Sequence, residues 1–514
     1  MNLEDPAGAL ADFSEAIRID PFKPEFLLSR ARLLAGMGRW TEVIADTTGG
    51  LARDPAQTEL LLLRSRARAN LGQFDAALAD ADRAVARSSE PSQARGARGW
   101  IRLLRHEWAG AADDASAALQ QKPDSLEMLL IKGISLREMQ DAAGARACFE
   151  GILKIDADHT VALFNLGRLD NAAGDWKSAI ARLSRVIELS PGLPEAFMER
   201  GRARLATNDA EGAIGDLSKA ARLQPSNAEI FALRALANEK RGDDRQAAAD
   251  AEKAVALGAQ DPQLFLLLAH SAEKQAAWNT VLSYAGRVLE RLPNDSEALA
   301  LKGRALLASG RTAEGLEVLG AAIAASPNQW RLRTERAAVF HRLQRYDEAI
   351  ADCDKAIELN PQAVVAYSMR AYCNLQKHRA DDALRDCEKA IELDPQQPLP
   401  LLVRARVMID RSDPAKAVAD SIAALKLMPG TAWGYSTLGL ALLKQDRAEE
   451  AAAAAAKALQ LAPDDAESFA IRGRALLALH RYKSAARDVD HAIEIDPAFK
   501  ASLASELEEL KNRR

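Results

Sequence analysis

Three cysteines and a histidine are the residues of this chain with the clearest potential for metal or redox chemistry. The segments 352–362 (DCDKAIELNPQ) and 386–396 (DCEKAIELDPQ) are nearly identical. Cys353 and Cys387 occupy the same place in the two segments, Cys373 lies between them, and His378 is close in sequence. Thiolate and imidazole groups are the ligands that zinc prefers. A three-thiolate site is therefore one hypothesis, and a structural repeat with cysteine as a small core residue is the other.

Other signatures of catalysis are missing from the sequence. The fourth cysteine, Cys148, forms no CxxC motif with the others, and four cysteines are too few for a disulfide framework. The seven histidines are scattered without HExxH spacing, and no GxGxxG, GxxxxGK[ST] or GxSxG motif occurs. We therefore favour buried, reduced cysteines, and we predict no enzyme, no cofactor, no metal site and no small-molecule substrate.

Composition predicts an elongated helical protein. At 514 residues the chain is too long for one compact core, and its 48% hydrophobic content includes only 5% aromatic residues. A net charge of -5 gives no basic footprint for nucleic acid. The first residues, MNLEDPAGAL, are not a secretory signal, and the apolar runs are too short to span a bilayer. We expect a soluble, cytoplasmic protein without membrane insertion, or a periplasmic one if a signal is missing upstream.

Prolines recur along the chain at a constant interval, equal to the separation of Pro21 and Pro55. Only Ser89, Ala157 and Ala259 interrupt this series, and the phase resumes after each of them. The other prolines in phase are Pro123, Pro191, Pro225, Pro293, Pro327, Pro361, Pro395, Pro429, Pro463 and Pro497. If each unit starts three residues after this step, fourteen units result: 24–57, 58–91, 92–125, 126–159, 160–193, 194–227, 228–261, 262–295, 296–329, 330–363, 364–397, 398–431, 432–465 and 466–499.

Each unit predicts two helices joined by a turn. The eighth position holds only Gly, Ala or Ser and the twentieth is mostly Ala, which indicates close helix contact. The fifteenth is often Gly, Asn, Asp or His, residues that tolerate a left-handed turn. We expect residues 5–23 to be a half-repeat with only a second helix, and residues 500–514 to be a capping helix. The missing first helix suggests that sequence upstream of Met1 is absent.

This pattern of small residues, large hydrophobic residues and a closing proline, repeated at the proline interval, resembles the tetratricopeptide repeat. The resemblance implies an all-α fold, a right-handed superhelical solenoid of antiparallel helix hairpins. It also implies a concave groove that holds proteins or peptides.

Comparison of the fourteen units with one another reveals a pair of charged positions. Nine units carry Arg at the seventh position, and the same nine carry Asp at the twenty-third. Independent placement would give this coincidence roughly once in two thousand arrangements, and positions that vary together usually touch. We predict that Arg and Asp bridge the two helices of one unit, as a structural pair. The predicted pairs are Arg30 and Asp46, Arg64 and Asp80, Arg98 and Asp114, Arg200 and Asp216, Arg234 and Asp250, Arg336 and Asp352, Arg370 and Asp386, Arg404 and Asp420, and Arg472 and Asp488. The other five units are predicted to be softer.

The family resemblance also implies which side chains face the groove, at the second, fifth, sixth, ninth, twelfth and thirteenth positions of the first helix. The candidate protein-binding residues are Arg32, Arg66, Trp100, Phe164, Arg168, Met198, Arg202, His270, Arg304, Tyr372, Arg406, Trp433 and Arg474. A ladder of Arg paired with Glu of a neighbouring unit is the alternative for the charged members of this set. The Lys and Asn clamp for a terminal carboxylate, known in chaperone adaptors of the family, is absent.

Two functions agree with this pattern. The first is a non-enzymatic scaffold that binds a peptide or helix of a partner protein in the groove. The second is a regulatory or sensory module that acts on a catalytic or membrane partner, encoded on another chain or missing upstream. The sequence indicates protein, and no nucleic acid, as the partner.

Overall fold

A computed structural model of the chain describes residues 6–89 and 91–513, and these ranges form helices joined by short turns. They contain 31 helices and no strand, which agrees with the all-α fold that the repeat pattern predicts, although the expected single capping helix is divided into Phe499–Ser502 and Ala504–Arg513. Residues 5, 90 and 514, which belong to the predicted half-repeat, one repeat unit and the capping helix, lie outside the described residues. Within those same ranges, no helix is long and apolar enough to cross a membrane.

The chain divides into an N-terminal body, Met1–Leu264, and a C-terminal body, Phe265–Arg514, with the boundary inside α16. The helices up to this boundary are α1 (Pro6–Ile19), α2 (Pro24–Gly36), α3 (Trp40–Arg53), α4 (Thr58–Asn70), α5 (Phe74–Arg87), α6 (Ser92–Leu104), α7 (Trp108–Leu119), α8 (Leu126–Glu138), α9 (Ala142–Ile155), α10 (Thr160–Ala173), α11 (Trp176–Leu189), α12 (Pro194–Ala206), α13 (Ala210–Leu223), α14 (Ala228–Arg241), α15 (Asp244–Ala256) and α16 (Pro262–Lys274).

The remaining helices belong to the C-terminal body. They are α17 (Trp278–Arg291), α18 (Ser296–Ala308), α19 (Thr312–Ala325), α20 (Trp330–Arg342), α21 (Tyr346–Leu359), α22 (Val364–Gln376), α23 (Ala380–Leu393), α24 (Pro398–Asp410), α25 (Pro414–Leu427), α26 (Ala432–Leu443), α27 (Ala448–Leu461), α28 (Ala466–Ala478), α29 (Tyr482–Ile495), α30 (Phe499–Ser502) and α31 (Ala504–Arg513). Even-numbered helices from α2 to α28 are the first helices of the units, and odd-numbered helices from α3 to α29 are the second helices.

The turn inside each hairpin lies where the sequence predicts it. The fifteenth residue of every unit has a positive φ, from +54° at Ala276 to +82° at Gly242. This left-handed residue ends the first helix and lets the chain reverse within three residues. Several second helices then begin with an Asp cap, such as Asp209, whose carboxylate accepts a hydrogen bond from the Gly212 amide at 2.9 Å.

Two columns of residues set the distance between the helices of a hairpin. The eighth residue of the first helix faces the twenty-fourth residue of the same unit. At Gly133 an added Cβ would lie 2.8 Å from the Phe149 ring, and at Gly303 it would lie 2.9 Å from Leu319. The facing residue is fully buried in both units. Glycine at the eighth position therefore makes room for a large side chain across the hairpin.

The two columns exchange volume from unit to unit. Every unit with Phe, Leu or Val at the twenty-fourth position has Gly at the eighth, and every unit with Ala or Ser at the eighth has a small residue at the twenty-fourth. Cys353 faces Ala337 and Cys387 faces Ala371 in this way, and both thiols are fully buried. Cysteine is thus one of the small residues, with Ala, Ser and Thr, that fit opposite alanine.

This exchange predicts a dependence of Cys353→Leu on its neighbour. Alone, the leucine overfills the space against Ala337 and is expected to lower the free energy of unfolding by about 1–3 kcal/mol. In an Ala337→Gly background, which reproduces the Gly303 and Leu319 arrangement, the same leucine should cost much less. Urea denaturation followed by circular dichroism measures both differences. An equal cost of Cys353→Leu in the two backgrounds would contradict the proposed exchange of volume.

Candidate functional site

The thiols that could hold a metal are dispersed through the core. Cys353 and Cys373 pack in one hydrophobic cluster, and Cys387 packs in the next one with Val403 and Val407. His378 is an exposed turn residue with φ +58°. Among the described residues, no three His, Cys, Asp or Glu side chains are placed to share a metal ion. The repeated Asp-Cys pairs are therefore packing features of successive hairpins.

Burial also makes these thiols poor nucleophiles. It raises the pKa of the Cys373 thiol to about 11, and it raises the pKa of Cys353 and Cys387 further still. A thiolate, which is the reactive form, is therefore scarce at neutral pH. This agrees with the packing of the same side chains against alanine and valine.

The four buried cysteines should consequently resist modification in the folded protein. We expect Ellman's reagent at about pH 7 to react with none of them on the timescale on which all react in denaturant. Release of the coloured product, followed by absorbance in the presence and absence of guanidinium, measures this. Rapid reaction of any one thiol without denaturant would show that its surroundings open easily.

The nine predicted Arg and Asp pairs all have the same geometry. In each unit the Arg Nε donates to Asp Oδ2 at 2.7–2.9 Å and Nη2 donates to Oδ1 at 2.5–2.8 Å. The Asp side belongs to the buried layer, with 2–7% of each residue exposed. Two parallel hydrogen bonds need the planar guanidinium, which explains why lysine does not replace arginine in these units.

The same arginines also contact the preceding unit. In six units the Nη1 atom donates to a polar side chain on the second helix of the hairpin before. The acceptors are Ser14, Thr48, Asp82, Ser184, Ser218 and Asp354, at 2.5–3.2 Å. Each of these arginines therefore joins three helices. The sequence did not reveal this third position, because Ser, Thr and Asp alternate there.

One unit without the pair contains a reversed version of it. Asp170 lies at the eleventh position of α10 and only 1% of it is exposed. It accepts a hydrogen bond from Arg182, which occupies the twenty-third position where other units have Asp, and another from Arg146 at 2.7 Å. The hairpin of α10 and α11 thus has its own buried ion pair. This unit lacks the common pair but has a cross-helix bridge with the charges exchanged, and the expectation that it is softer stays a prediction.

Removal of one partner should be costly in a pair that has no other contacts. Neither Arg404 nor Asp420 makes another hydrogen bond or ion pair within residues 6–89 and 91–513. Arg404→Leu leaves a buried carboxylate unpaired, and we expect a loss of about 3–5 kcal/mol in the free energy of unfolding. The double variant with Asp420→Leu should lose less than the sum of the single variants. Additive losses in a double-mutant cycle would show that the two side chains are not energetically coupled.

Within each of the two bodies, the second and ninth positions of the first helices lie on the same face, here called the first-helix face. On it, a basic ninth residue approaches an acidic second residue of the next unit. Arg32 Nε donates to Glu59 at 2.7 Å, Arg202 donates to Glu229, and the His270 ring lies 2.7 Å from Glu297. Arg304 contacts Glu273 and Glu335, and Arg474 contacts Glu506 at 2.6 Å. These candidate groove residues therefore take part in a ladder of ion pairs.

A second pattern occurs only between 364 and 478 in the described residues. Here ninth-position residues reach the second position two units later. The rings of Tyr372 and Trp433 meet edge to face with centroids 5.5 Å apart, and His341 packs against Tyr372 at 4.7 Å. Arg406 donates to Glu467 at 2.6 Å. In this part of the C-terminal body, the first-helix face is occupied by its own side chains.

The other candidates differ in accessibility. Trp100 is 42% exposed, whereas Met198 is only 8% exposed and Phe164 packs against the core with Val186 and Ala179. Arg168 lies 3.7 Å from Glu199. The Arg66 guanidinium rests 6.0 Å from the Trp40 ring centroid and has no acidic partner among the described residues. Trp100, Arg66 and Arg168 are thus exposed, whereas Met198 is buried.

Models of the tetratricopeptide repeat match segments along the chain. One matches residues 62–125, 198–262, 272–328, 300–364 and 436–498, and a second matches residues 136–198. Together these segments cover more than half of the sequence.

Several solved structures are similar to the chain at low identity. The crystal structure of the APC/C hetero-tetramer Cut9–Hcn1 is 16% identical, covering 92% of this chain and 94% of that chain with a TM-score of 0.41. Yeast Tom70 is 17% identical over 76% of this chain and 96% of its own, with a TM-score of 0.33. A tetratricopeptide repeat protein from Parabacteroides merdae is 18% identical over 48% and 98%, with a TM-score of 0.37.

Proposed function

This chain belongs to the tetratricopeptide repeat family, and we propose on that basis that it is a non-enzymatic scaffold that binds a segment of a partner protein on its first-helix face. Members of the family are typically protein-interaction scaffolds. We also propose that the fourteen units of residues 24–499, the half-repeat and the capping helix are its structural modules, since hairpin turns recur at the fifteenth position throughout.

Exposed apolar side chains on the first-helix face carry this proposal. Trp100 is 42% exposed and Val161 is 43% exposed in the N-terminal body, and Val365 is 52% exposed in the C-terminal body. All three occupy second or ninth positions. The twentieth residues of the same hairpins, Ala111, Ala179 and Ala383, are fully buried. Large apolar groups kept at a surface that the core does not require are typical of a binding surface.

Site-specific crosslinking tests which face the partner contacts. A photo-reactive amino acid at Val161 or Val365 should trap discrete proteins in cells that express the full chain. Ile422 on a second helix is the matched control, because it is 43% exposed, as Val161 is. Adducts separated on denaturing gels and identified by mass spectrometry report the outcome. An equal pattern from Ile422, or no adduct from the two first-helix positions, would contradict the proposal.

A further inference from the structure

The ladder of ion pairs on the first-helix face is interrupted in the N-terminal body. We call each ninth residue and the second residue of the next unit a rung. The rungs Arg32 with Glu59 and Arg202 with Glu229 are closed by hydrogen bonds. The four rungs between them are open: Arg66 with Gln93, Trp100 with Glu127, Ile134 with Val161, and Arg168 with Glu195. The interruption is therefore continuous from α4 to α12.

Each of the first two open rungs has lost one half of the charge pair. Gln93 stands where an acid would meet Arg66, and Trp100 stands where a base would meet Glu127. Neither Arg66 nor Glu127 has a side-chain ion pair or hydrogen bond to any described residue. The Arg66 guanidinium lies 6.0 Å from the Trp40 ring centroid, at the outer limit of a cation–π contact. The face thus presents an unpaired cation, an exposed indole and an unpaired carboxylate in close order.

The C-terminal body contains a directly paired version of the positions that Arg66 and Glu127 occupy. Arg406 and Glu467 have the same separation in sequence as Arg66 and Glu127, and they pair directly at 2.6 Å. In the N-terminal body the equivalent residues, Arg66 and Glu127, form no hydrogen bond or ion pair with each other, and Trp100 on the intervening first helix is exposed. An occupant of this surface would therefore meet two free charges of opposite sign.

The third open rung is apolar. Ile134 on α8 is half-buried and Val161 on α10 is 43% exposed, so this rung comes directly after the rung of Trp100 along the chain. The first helices α4, α6 and α8 contact one another in sequence. Packed helices lie about 10 Å apart, and an extended chain rises about 3.3 Å per residue. A bound extended segment would therefore advance by about three residues from one rung to the next.

We propose that the open rungs from Arg66 to Val161 bind an extended segment of a partner protein that carries an acidic, a basic and an apolar residue, each about three positions after the last. The acidic side chain pairs with Arg66. The basic side chain lies over Trp100 and pairs with Glu127, which combines a cation–π contact with an ion pair. The apolar side chain covers Ile134 and Val161. This inference rests on the proposed scaffold function and specifies its partner.

A peptide array provides the test. The probes are fluorescein-labelled nine-residue peptides of Ser and Thr with glutamate, lysine and leucine at their second, fifth and eighth places. A second set has glutamate and lysine exchanged, and a third has serine for leucine. We expect the full chain to bind the first set at least tenfold more tightly than the second by fluorescence polarisation. Equal affinity for the first two sets, or binding to none of them, would overturn the inference.

Neutralisation and reversal of charges in the protein provide the matched variants. Arg66→Gln should weaken binding of the first peptide set about tenfold, whereas Arg202→Gln, on a closed rung, should leave it within twofold. The double variant Arg66→Glu and Glu127→Lys should reverse the preference and select the exchanged peptides. A similar loss from Arg66→Gln and Arg202→Gln would refute the assignment of the open rungs.

The outcome can be separated from the fate of the scaffold function. If crosslinks from Val161 or Val365 persist unchanged in Arg66→Gln and the peptide preference is absent, the scaffold function stands and this inference fails. If no crosslink forms from either first-helix position, the scaffold function itself fails.

Discussion

The partly buried guanidinium at the seventh position is the interaction on which the nine hairpins that contain it depend. It forms two parallel hydrogen bonds to an aspartate of its own second helix, and in six units it also donates to the second helix of the preceding hairpin. A planar group with fixed donor directions fixes how far each helix is rotated and shifted along its neighbour. One side chain type therefore sets both the geometry within a hairpin and the geometry of the next step.

Small residues impose a second constraint, which explains the cysteines. A hairpin has room for a bulky side chain at the twenty-fourth position only where the eighth position is Gly. Gly133 admits Phe149, whereas Ala371 admits only Cys387. Both solutions bury the position completely, because interiors are packed close to the density of organic crystals. The cysteines of the repeated Asp-Cys pairs are thus explained by the small volume available opposite alanine.

The period, the hairpins, the turn position and the proximity of Arg and Asp could all be predicted from sequence, because each depends on local spacing repeated many times. The reversed pair of Asp170 and Arg182 was not predicted, since its charges occupy different positions from the common pair. The volume exchange was visible in the sequence as coupled size variation at the eighth and twenty-fourth positions, and would have been found by comparing volumes as well as charges. The contact of Tyr372 with Trp433 depends on how tightly successive hairpins curve, which no single unit encodes.

The open rungs have a consequence for how recognition can change over time. Gln93 and Trp100 are exposed and lie outside the packing columns, so substitutions at these two positions leave the core intact. In the genetic code, Gln and Glu codons differ by one nucleotide, and the Trp codon is one nucleotide from two Arg codons. Gln93 and Trp100 are therefore each a point mutation from a closed rung. Single substitutions at these exposed positions can therefore change binding specificity at almost constant stability. In the hairpin core, by contrast, a change in one residue requires a matching change in its partner, as in the Arg and Asp pairs and in the eighth and twenty-fourth positions.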